Sequence, residues 1–137
     1  MQFQPVDKYE LLEKLQDMVA GLLRNDPTEL LSNWDVSQVE DMSDLFLGMD
    51  SILQHNDISD WDTSQVTNMR GMFDGCELFN SPLNWNTSNV TDMSGMFKNC
   101  RTFNSPLDWN TTNVTDMHDM FAGCTTFNLP LNWNTSK

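Results

Sequence analysis

The apolar residues of this chain recur in a fixed order behind a series of tryptophans. Val, Met and Phe return at matching distances after each of the first four Trp residues, followed in all but the first of these units by Cys, a second Phe and Leu. The tryptophans after the first are evenly spaced, and only the first interval is slightly longer. A period of about 24 residues with conserved internal order is typical of stacked repeat proteins. Full units therefore begin at Trp34, Trp61, Trp85 and Trp109, with a partial unit from Trp133.

Two kinds of spacing occur within one unit. The apolar positions of residues 90–100 fall at i, i+3, i+7 and i+10, which is the spacing of one face of a short helix. At the aligned place in the first unit, Ser37–Glu40 has the form of a capping box. Residues 106–109 then alternate apolar and polar side chains, which predicts a brief strand.

Stacking such units predicts an α/β solenoid. One unit cannot bury its own apolar face, whereas neighbours about 4.8 Å apart place each Trp, Phe and Cys beneath the next. Because a strand–helix–strand crossover is right-handed, we expect a right-handed stack with one short strand and one short helix per unit. The ten Met residues suit an irregular interior, since flexible thioethers fill gaps.

The N-terminal segment lies outside the repeat and predicts a helical cap. Residues 6–24 have an amphipathic helical pattern, and Asp26–Glu29 has the sequence of a second helix start. We therefore divide the chain into a helical N-terminal cap, 1–33, and a repeat region, 34–137. The alternative is that the first helix dimerises as a short coiled coil.

The C-terminal end of the pattern has no capping segment after Trp133. An open last unit exposes a strand edge and an apolar face. We expect either that the sequence is a fragment of a longer array or that this end stacks on a partner.

The charge balance restricts the classes of partner. The 137 residues include 20 Asp and Glu but only 7 Lys and Arg, for a net charge of −13. Binding nucleic acid requires cations to neutralise phosphates, so we expect no nucleic-acid partner. No apolar run approaches the ~18 residues of a spanning helix, and the N-terminus has no export-signal pattern. The charge favours a cationic protein partner, and we expect no membrane insertion.

The candidate metal and cofactor ligands have simpler structural explanations. Cys76, Cys100 and Cys124 are one period apart, which predicts a column of buried free thiols rather than a zinc cluster or a disulfide. We therefore predict no metal and no cofactor. An Asp or Asn follows every Trp and could bind calcium, but an Asx-turn ladder is the favoured interpretation. A second ladder is expected from Asn80, Asn104 and Asn128.

Residues for catalysis are not recognisable in the sequence. His55 and His118 stand at non-equivalent repeat positions, and neither has a Ser or Cys nucleophile in a recognisable arrangement. The chain is therefore predicted not to be an enzyme. The matches to Asn-x-Ser/Thr arise from the repeat itself, so they are weak evidence for glycosylation.

The segment WNTSNVTDMSGMFKNCRTFNSPL, residues 85–107, closely resembles the BspA-like repeat family, also called domain of unknown function 285. The resemblance extends over residues 34–137. This family is familiar from mycoplasma lipoproteins and from surface proteins of oral bacteria and parasitic protists. The resemblance implies a leucine-rich-repeat-like solenoid without known enzymatic activity, and a role at the cell surface in adhesion or host-protein binding. The chain lacks the lipidation Cys of surface members.

Function is expected at exposed positions that vary while the core pattern stays fixed, because a rigid array presents its binding surface there. The leading hypothesis is a non-enzymatic protein-interaction module. The alternatives are a structural element that self-assembles through its C-terminal end, and a module that binds metal or glycan through the Asp and Asn columns. The protein-binding candidates are Asp74, Glu77, Asn84, Lys98, Arg101, Asp108, His118 and Asp119.

Overall fold

Regular secondary structure is confined to short segments in this computed structural model, which describes residues 2–21 and 30–135. Helix α1 spans Lys8–Val19, a single 3-10 turn spans Leu31–Asn33, and helix α2 spans Asp50–Gln54. Helix α2 lies inside the first unit, which is longer than the units that follow it. No helix within the described ranges is long and apolar enough to cross a bilayer.

The predicted α/β solenoid of one strand and one helix per unit is wrong. Where residues 90–100 predict a helix, Gly95 and Asn99 have left-handed φ angles of 61° and 62°. A helix needs consecutive right-handed residues, so it cannot pass through either position. Where residues 106–109 predict a strand, the chain is irregular. The described residues contain no sheet of strands, and the leucine-rich-repeat-like architecture that the resemblance implies is not supported either.

Backbone hydrogen bonds alternate between a unit's own turns and the next unit. The N–H of Met96 donates to the carbonyl of Met93 at 3.2 Å and closes a turn. The N–H of the next residue, Phe97, donates instead to the carbonyl of Met120 in the following unit at 2.9 Å. Successive units therefore lie in register although they form no sheet. Within the described ranges, the strand-like pairs are isolated parallel bridges: Asp41 with Asn68, Asn68 with Asp92, and Asp92 with Asp116.

Columns of equivalent aromatic side chains form the core of the repeats. The rings of Phe73 and Phe97 stack with centroids 5.5 Å apart, and those of Trp85 and Trp109 stack at 6.2 Å. The indole N–H of Trp109 also donates to the carbonyl of Leu83 at 3.1 Å, which satisfies the polar end of a buried ring. The period of the sequence thus places like residues in direct contact.

Helix α1 is shorter than the helix predicted for residues 6–24. It begins after Asp7, whose carboxylate accepts the N–H of Glu10 at 3.0 Å as an N-cap, and it ends at Val19. Residues 22–24 and the second helix predicted from Asp26 lie outside the described residues.

The described part of the N-terminal segment packs on the first unit. Leu11 and Leu15 of α1 are fully buried in the common core. The ammonium of Lys8 donates to the hydroxyl of Ser43 at 2.9 Å and lies 3.6 Å from the carboxylate of Asp41. The division into 1–33 and 34–137 stays a prediction.

Candidate functional site

A column of left-handed residues runs across the four units. It is called the floor column here. Glycine adopts a positive φ without steric cost, and Asp and Asn tolerate it better than other residues. The two middle units carry glycine, so the floor has side chains only in its first and last units. Its members are Asp44, Gly71, Gly95 and Asp119, with φ angles of 56°, 62°, 61° and 58°.

The missing side chains leave a polar groove of ≈ 420 Å³ along the floor column. Residues immediately before that column form the wall column of the groove, and Asp74 and Lys98 line it from three residues after the column. All four units contribute to the lining. The members of the wall column are Ser43, Arg70, Ser94 and His118.

A series of Asx turns holds the wall column in place. Two residues before each wall residue stands an Asp or Asn whose side-chain oxygen accepts the wall residue's N–H. The carboxylate of Asp92 accepts both the N–H and the hydroxyl of Ser94, at 2.9 and 2.6 Å. The equivalent side-chain oxygens of Asp41, Asn68 and Asp116 accept the N–H of Ser43, Arg70 and His118 at 2.9, 3.0 and 3.0 Å.

The basic side chains of the groove differ in their pairing. The imidazole of His118 has its Nε2 3.1 Å from a carboxylate oxygen of Asp119 and its Nδ1 3.9 Å from Asp116. Within the part of the chain that the structure describes, neither Arg70 nor Lys98 has a carboxylate within 4.0 Å. Both side chains therefore remain available to a bound partner.

The structure brings four of the eight predicted binding residues into this groove: Asp74, Lys98, His118 and Asp119. Asn84 and Asp108 instead line a separate depression of ≈ 310 Å³ with the prolines Pro82 and Pro106. Glu77 and Arg101 line neither of these hollows and form an exposed ion pair at 3.7 Å.

Sequence reasoning missed part of the groove, although the repeat carried the signal. The residues it missed occupy the same repeat positions as His118 and Asp119, or stand two residues before the wall column. Aligning the units on those two predicted residues would have identified them. They are Ser43, Asp44, Asn68, Arg70, Gly71, Ser94 and Gly95.

The Asp or Asn after each Trp forms Asx turns, as expected. The side-chain oxygens of Asp35, Asp62, Asn86 and Asn110 each accept the N–H of the second residue along at 3.0 Å. The turn expected at Asn134 involves residue 136, which lies outside the described residues. No group of three or more His, Cys, Asp or Glu side chains in the described ranges is placed to hold a metal ion.

The second predicted ladder, of asparagines, is confirmed. The side-chain oxygen of Asn80 accepts the N–H of Asn104 at 2.8 Å, and the side-chain oxygen of Asn104 accepts the N–H of Asn128 at 3.1 Å. This ladder links the turns of neighbouring units, because the side-chain oxygens of Asn80 and Asn104 each accept a backbone N–H of the next unit.

The three cysteines are free thiols that form the expected column. Cys76 and Cys100 are buried, whereas Cys124 is half-buried. The thiol of Cys76 contacts the carbonyl of Phe46 at 3.3 Å, and that of Cys100 contacts the carbonyl of Phe73 at 3.1 Å. Burial raises the pKa of Cys76 to about 12 and raises the pKa of the other two thiols as well. A thiol with a raised pKa is a poor nucleophile at neutral pH.

Comparison with known families gives one match. The model of a family described as Mycoplasma protein of unknown function, DUF285, matches residues 13–133. No curated protein and no solved structure matches the chain.

Proposed function

Because the chain belongs to the DUF285 family of Mycoplasma proteins of unknown function, we propose its role from its own surface: a non-enzymatic protein-interaction module. The finer assignment to the BspA-like group is part of this proposal and rests on the resemblance of residues 85–107. With it comes the proposed setting of a surface protein in adhesion or host-protein binding.

The polar groove is the observation that carries the proposal. It crosses four units, and its lining residues change from unit to unit while the packing columns below keep their residue types. The backbones of the floor and wall columns are fixed by left-handed turns and by Asx turns, so little backbone order has to be gained on binding. A surface that is already ordered loses less entropy when a partner binds.

The net charge of the chain favours a basic protein as the partner. A net charge of −13 attracts cationic protein surfaces and repels nucleic acid. The groove itself contains charges of both signs, which suits selective recognition of a peptide rather than general attraction. We therefore propose a protein partner with basic character and no nucleic-acid partner.

The arrangement of the reactive side chains supports a non-enzymatic role. The side chain of His118 is 73% exposed and lies beside two aspartates, and among the described residues its ring has no hydrogen bond to a Ser or Cys. The thiols of Cys76 and Cys100 are buried and have raised pKa values. Nucleophilic catalysis requires an activated nucleophile within reach of a base, and neither group provides one.

Affinity capture with a groove-filling variant tests this proposal. Gly95→Asn places a side chain on the floor where a Cβ meets nothing within 4 Å, and Asn tolerates the positive φ. Gly75→Asn is the matched control, because Gly75 also has a positive φ and open space but does not line the groove.

We expect a protein partner to be retained by the wild-type chain and by Gly75→Asn, and lost with Gly95→Asn. Capture of no protein under native conditions would overturn the proposal. Equal retention by all three proteins would show that the groove is not the binding surface.

A second candidate function, self-association, is favoured by the unit that begins at Trp109. Phe121, Phe127 and Trp133 are only half-buried there, whereas the equivalent Phe97 and Phe103 are fully buried by the following unit. This leaves an aromatic face of the kind that the other units cover by stacking.

The backbone of the same unit supports this candidate. In the preceding unit the N–H groups of Gly95 and Phe97 donate to carbonyls of the next unit at 2.8 and 2.9 Å. The equivalent N–H groups of Asp119 and Phe121 have no acceptor within the described ranges. A stacked second copy would supply acceptors and cover the rings.

Light scattering over a range of protein concentrations tests self-association. The expected result is a mass that rises with concentration and a weaker rise for Phe121→Ser, which makes the aromatic face more polar. A mass equal to one chain at all concentrations would exclude this function.

A further inference from the structure

Two cations that line the groove have no ion-pair or aromatic partner in the described structure. Five Lys and Arg residues fall within the described ranges. Lys8 pairs with Asp41 at 3.6 Å, Arg101 pairs with Glu77 at 3.7 Å, and the Lys14 ammonium lies 5.2 Å from the centre of the Phe3 ring. The remaining two, Arg70 and Lys98, both line the groove. Arg70 and Lys98 are therefore exceptional in a chain with a net charge of −13, because no carboxylate of the described residues pairs with them.

The acidic residues of the floor column stand at its two ends, and the carboxylate of Asp44 reaches from its end over Gly71. Asp44 belongs to the first unit and Asp119 to the fourth, while Arg70 and Lys98 belong to the second and third. With about 4.8 Å between stacked units, the end positions are about 14 Å apart and the cations lie between them. The order of charges from end to end is therefore negative, positive, positive, negative. Asp74 adds one further carboxylate beside the cations, and His118 accompanies Asp119.

Glycines on the floor let a ligand backbone approach closely. A Cβ built on Gly95 would have no heavy atom within 4 Å, so the space above Gly95 is open. Above Gly71 the same space holds the carboxylate of Asp44. The open part of the floor is thus at Gly95, in the same unit as Lys98.

We infer that the groove binds an extended peptide segment in which an acidic residue is flanked, two positions away on each side, by a basic residue. The inference rests on the proposed interaction function and specifies the partner of that same site. In an extended chain, residues i and i±2 point to one face. Two residues span about 6.6 Å, which is close to the ~7 Å from the middle of the groove to the backbone at either end. The Asp44 carboxylate reaches inward from its end over Gly71, where a long basic side chain can meet it.

Each charge of such a segment meets its opposite in the groove. The central carboxylate lies between the guanidinium of Arg70 and the ammonium of Lys98. The two flanking basic residues reach Asp44 and Asp119. The segment also agrees with the acidic character of the chain, since its own net charge is positive.

Fluorescence anisotropy with labelled peptides and the full chain tests the inference. The probe is Gly-Lys-Gly-Asp-Gly-Lys-Gly, and the charge-inverted control is Gly-Asp-Gly-Lys-Gly-Asp-Gly. A third peptide carries Asn in place of the central Asp and keeps both Lys residues. We expect the probe to bind at least about tenfold more tightly than the charge-inverted peptide, and about two- to fivefold more tightly than the Asn peptide. Added salt should weaken binding of the probe.

Variants of the chain locate the binding. Arg70→Gln and Lys98→Gln should each weaken probe binding about two- to fivefold. Arg101→Gln is the matched control, because Arg101 is a cation of the same repeats that lies outside the groove. It should leave the affinity for the probe unchanged.

The inference would be overturned by no binding of the probe, by equal binding of the charge-inverted peptide, or by equal effects of Arg101→Gln and Lys98→Gln. Tighter binding of the Asn peptide than of the probe would show that the groove attracts only positive charge, and would also overturn it. If a captured protein is lost with Gly95→Asn while the probe does not bind, the charge order is wrong and the interaction function stands. Failure of that function instead appears as no captured protein.

Discussion

The carboxylate of Asp44 occupies the place where a Cβ of Gly71 would lie. The two residues are consecutive members of the floor column, and both have a positive φ. An acidic side chain of the first unit thus fills the space that a side chain in the second would take, although the two positions lie one whole unit apart in the sequence. The relationship links the shape of the groove to the stability of the repeats.

Replacement of Gly71 by Ala should therefore lower the free energy of unfolding more than replacement of Gly95 by Ala. Either alanine in a left-handed position destabilises by about 1–2 kcal/mol. Gly71→Ala must in addition displace the Asp44 carboxylate, whereas Gly95→Ala meets nothing within 4 Å. Urea denaturation of the two variants measures the difference.

A second variant identifies the cause of that difference. In an Asp44→Gly background, which keeps the left-handed turn, the added cost of Gly71→Ala should disappear. An unchanged cost would show that the penalty comes from somewhere other than the Asp44 carboxylate.

Removal of a ring from the middle of the Phe column should be severe. Phe97 is fully buried and stacks on Phe73 at 5.5 Å and on Phe121 at 5.7 Å. Phe97→Ala should lower the free energy of unfolding by about 3–5 kcal/mol. Phe121→Ala is the control: it removes the same ring from a half-buried position and should cost less than half as much. Equal losses in chemical denaturation would contradict the stacking described.

The cysteines should react in an order set by burial. Cys124 is half-buried, whereas Cys76 and Cys100 are buried and have raised pKa values. In the native protein at pH 8, a thiol reagent should modify Cys124 first, and the other two only as the chain unfolds. Mass spectrometry of timed samples gives the order, and denatured protein, in which all three should react, is the control. Early modification of Cys100 would be evidence against the buried column.

The stability of the protein should fall at alkaline pH. The pKa of Cys76 rises from its ordinary value of 9.0 to about 12 because burial disfavours the thiolate. Between these values the unfolded chain loses the Cys76 proton while the folded chain keeps it. The contribution of Cys76 to stability is thus fully present below pH 9 and decreases by about 1.4 kcal/mol per pH unit between pH 9 and its folded-state pKa.

Comparison with Cys76→Ala isolates the contribution of this thiol. Between pH 9 and 11, the slope of unfolding free energy against pH should be shallower for the variant by about 1.4 kcal/mol per pH unit. Equal slopes would show that Cys76 does not titrate differently in the folded and unfolded states.

Four of the eight predicted binding residues lie in the groove. The other four lie outside it for a geometric reason. Asp74, Lys98, His118 and Asp119 lie on or beside the floor column. Variation between units marked the exposed positions, but it did not show which of them share one hollow. Arg70 illustrates this, because it stands at the same repeat position as the predicted residue His118, yet its place in the groove depended on the turns of the floor column.

The period, the residues that stack and the Asx turns could all be predicted from the amino-acid sequence, because they follow from residue types at fixed spacing. The course of the backbone could not, because it depends on contacts between neighbouring units. An apolar spacing of i, i+3, i+7 and i+10 suits a helix, and it also suits the ribbon of turns observed in residues 90–100. The N–H of Phe97 could bond within its own helix or to Met120 of the next unit, and it does the latter. Left-handed Gly95 and Asn99 favour the turns, and the stacked neighbour supplies the acceptors that a helix would otherwise have provided.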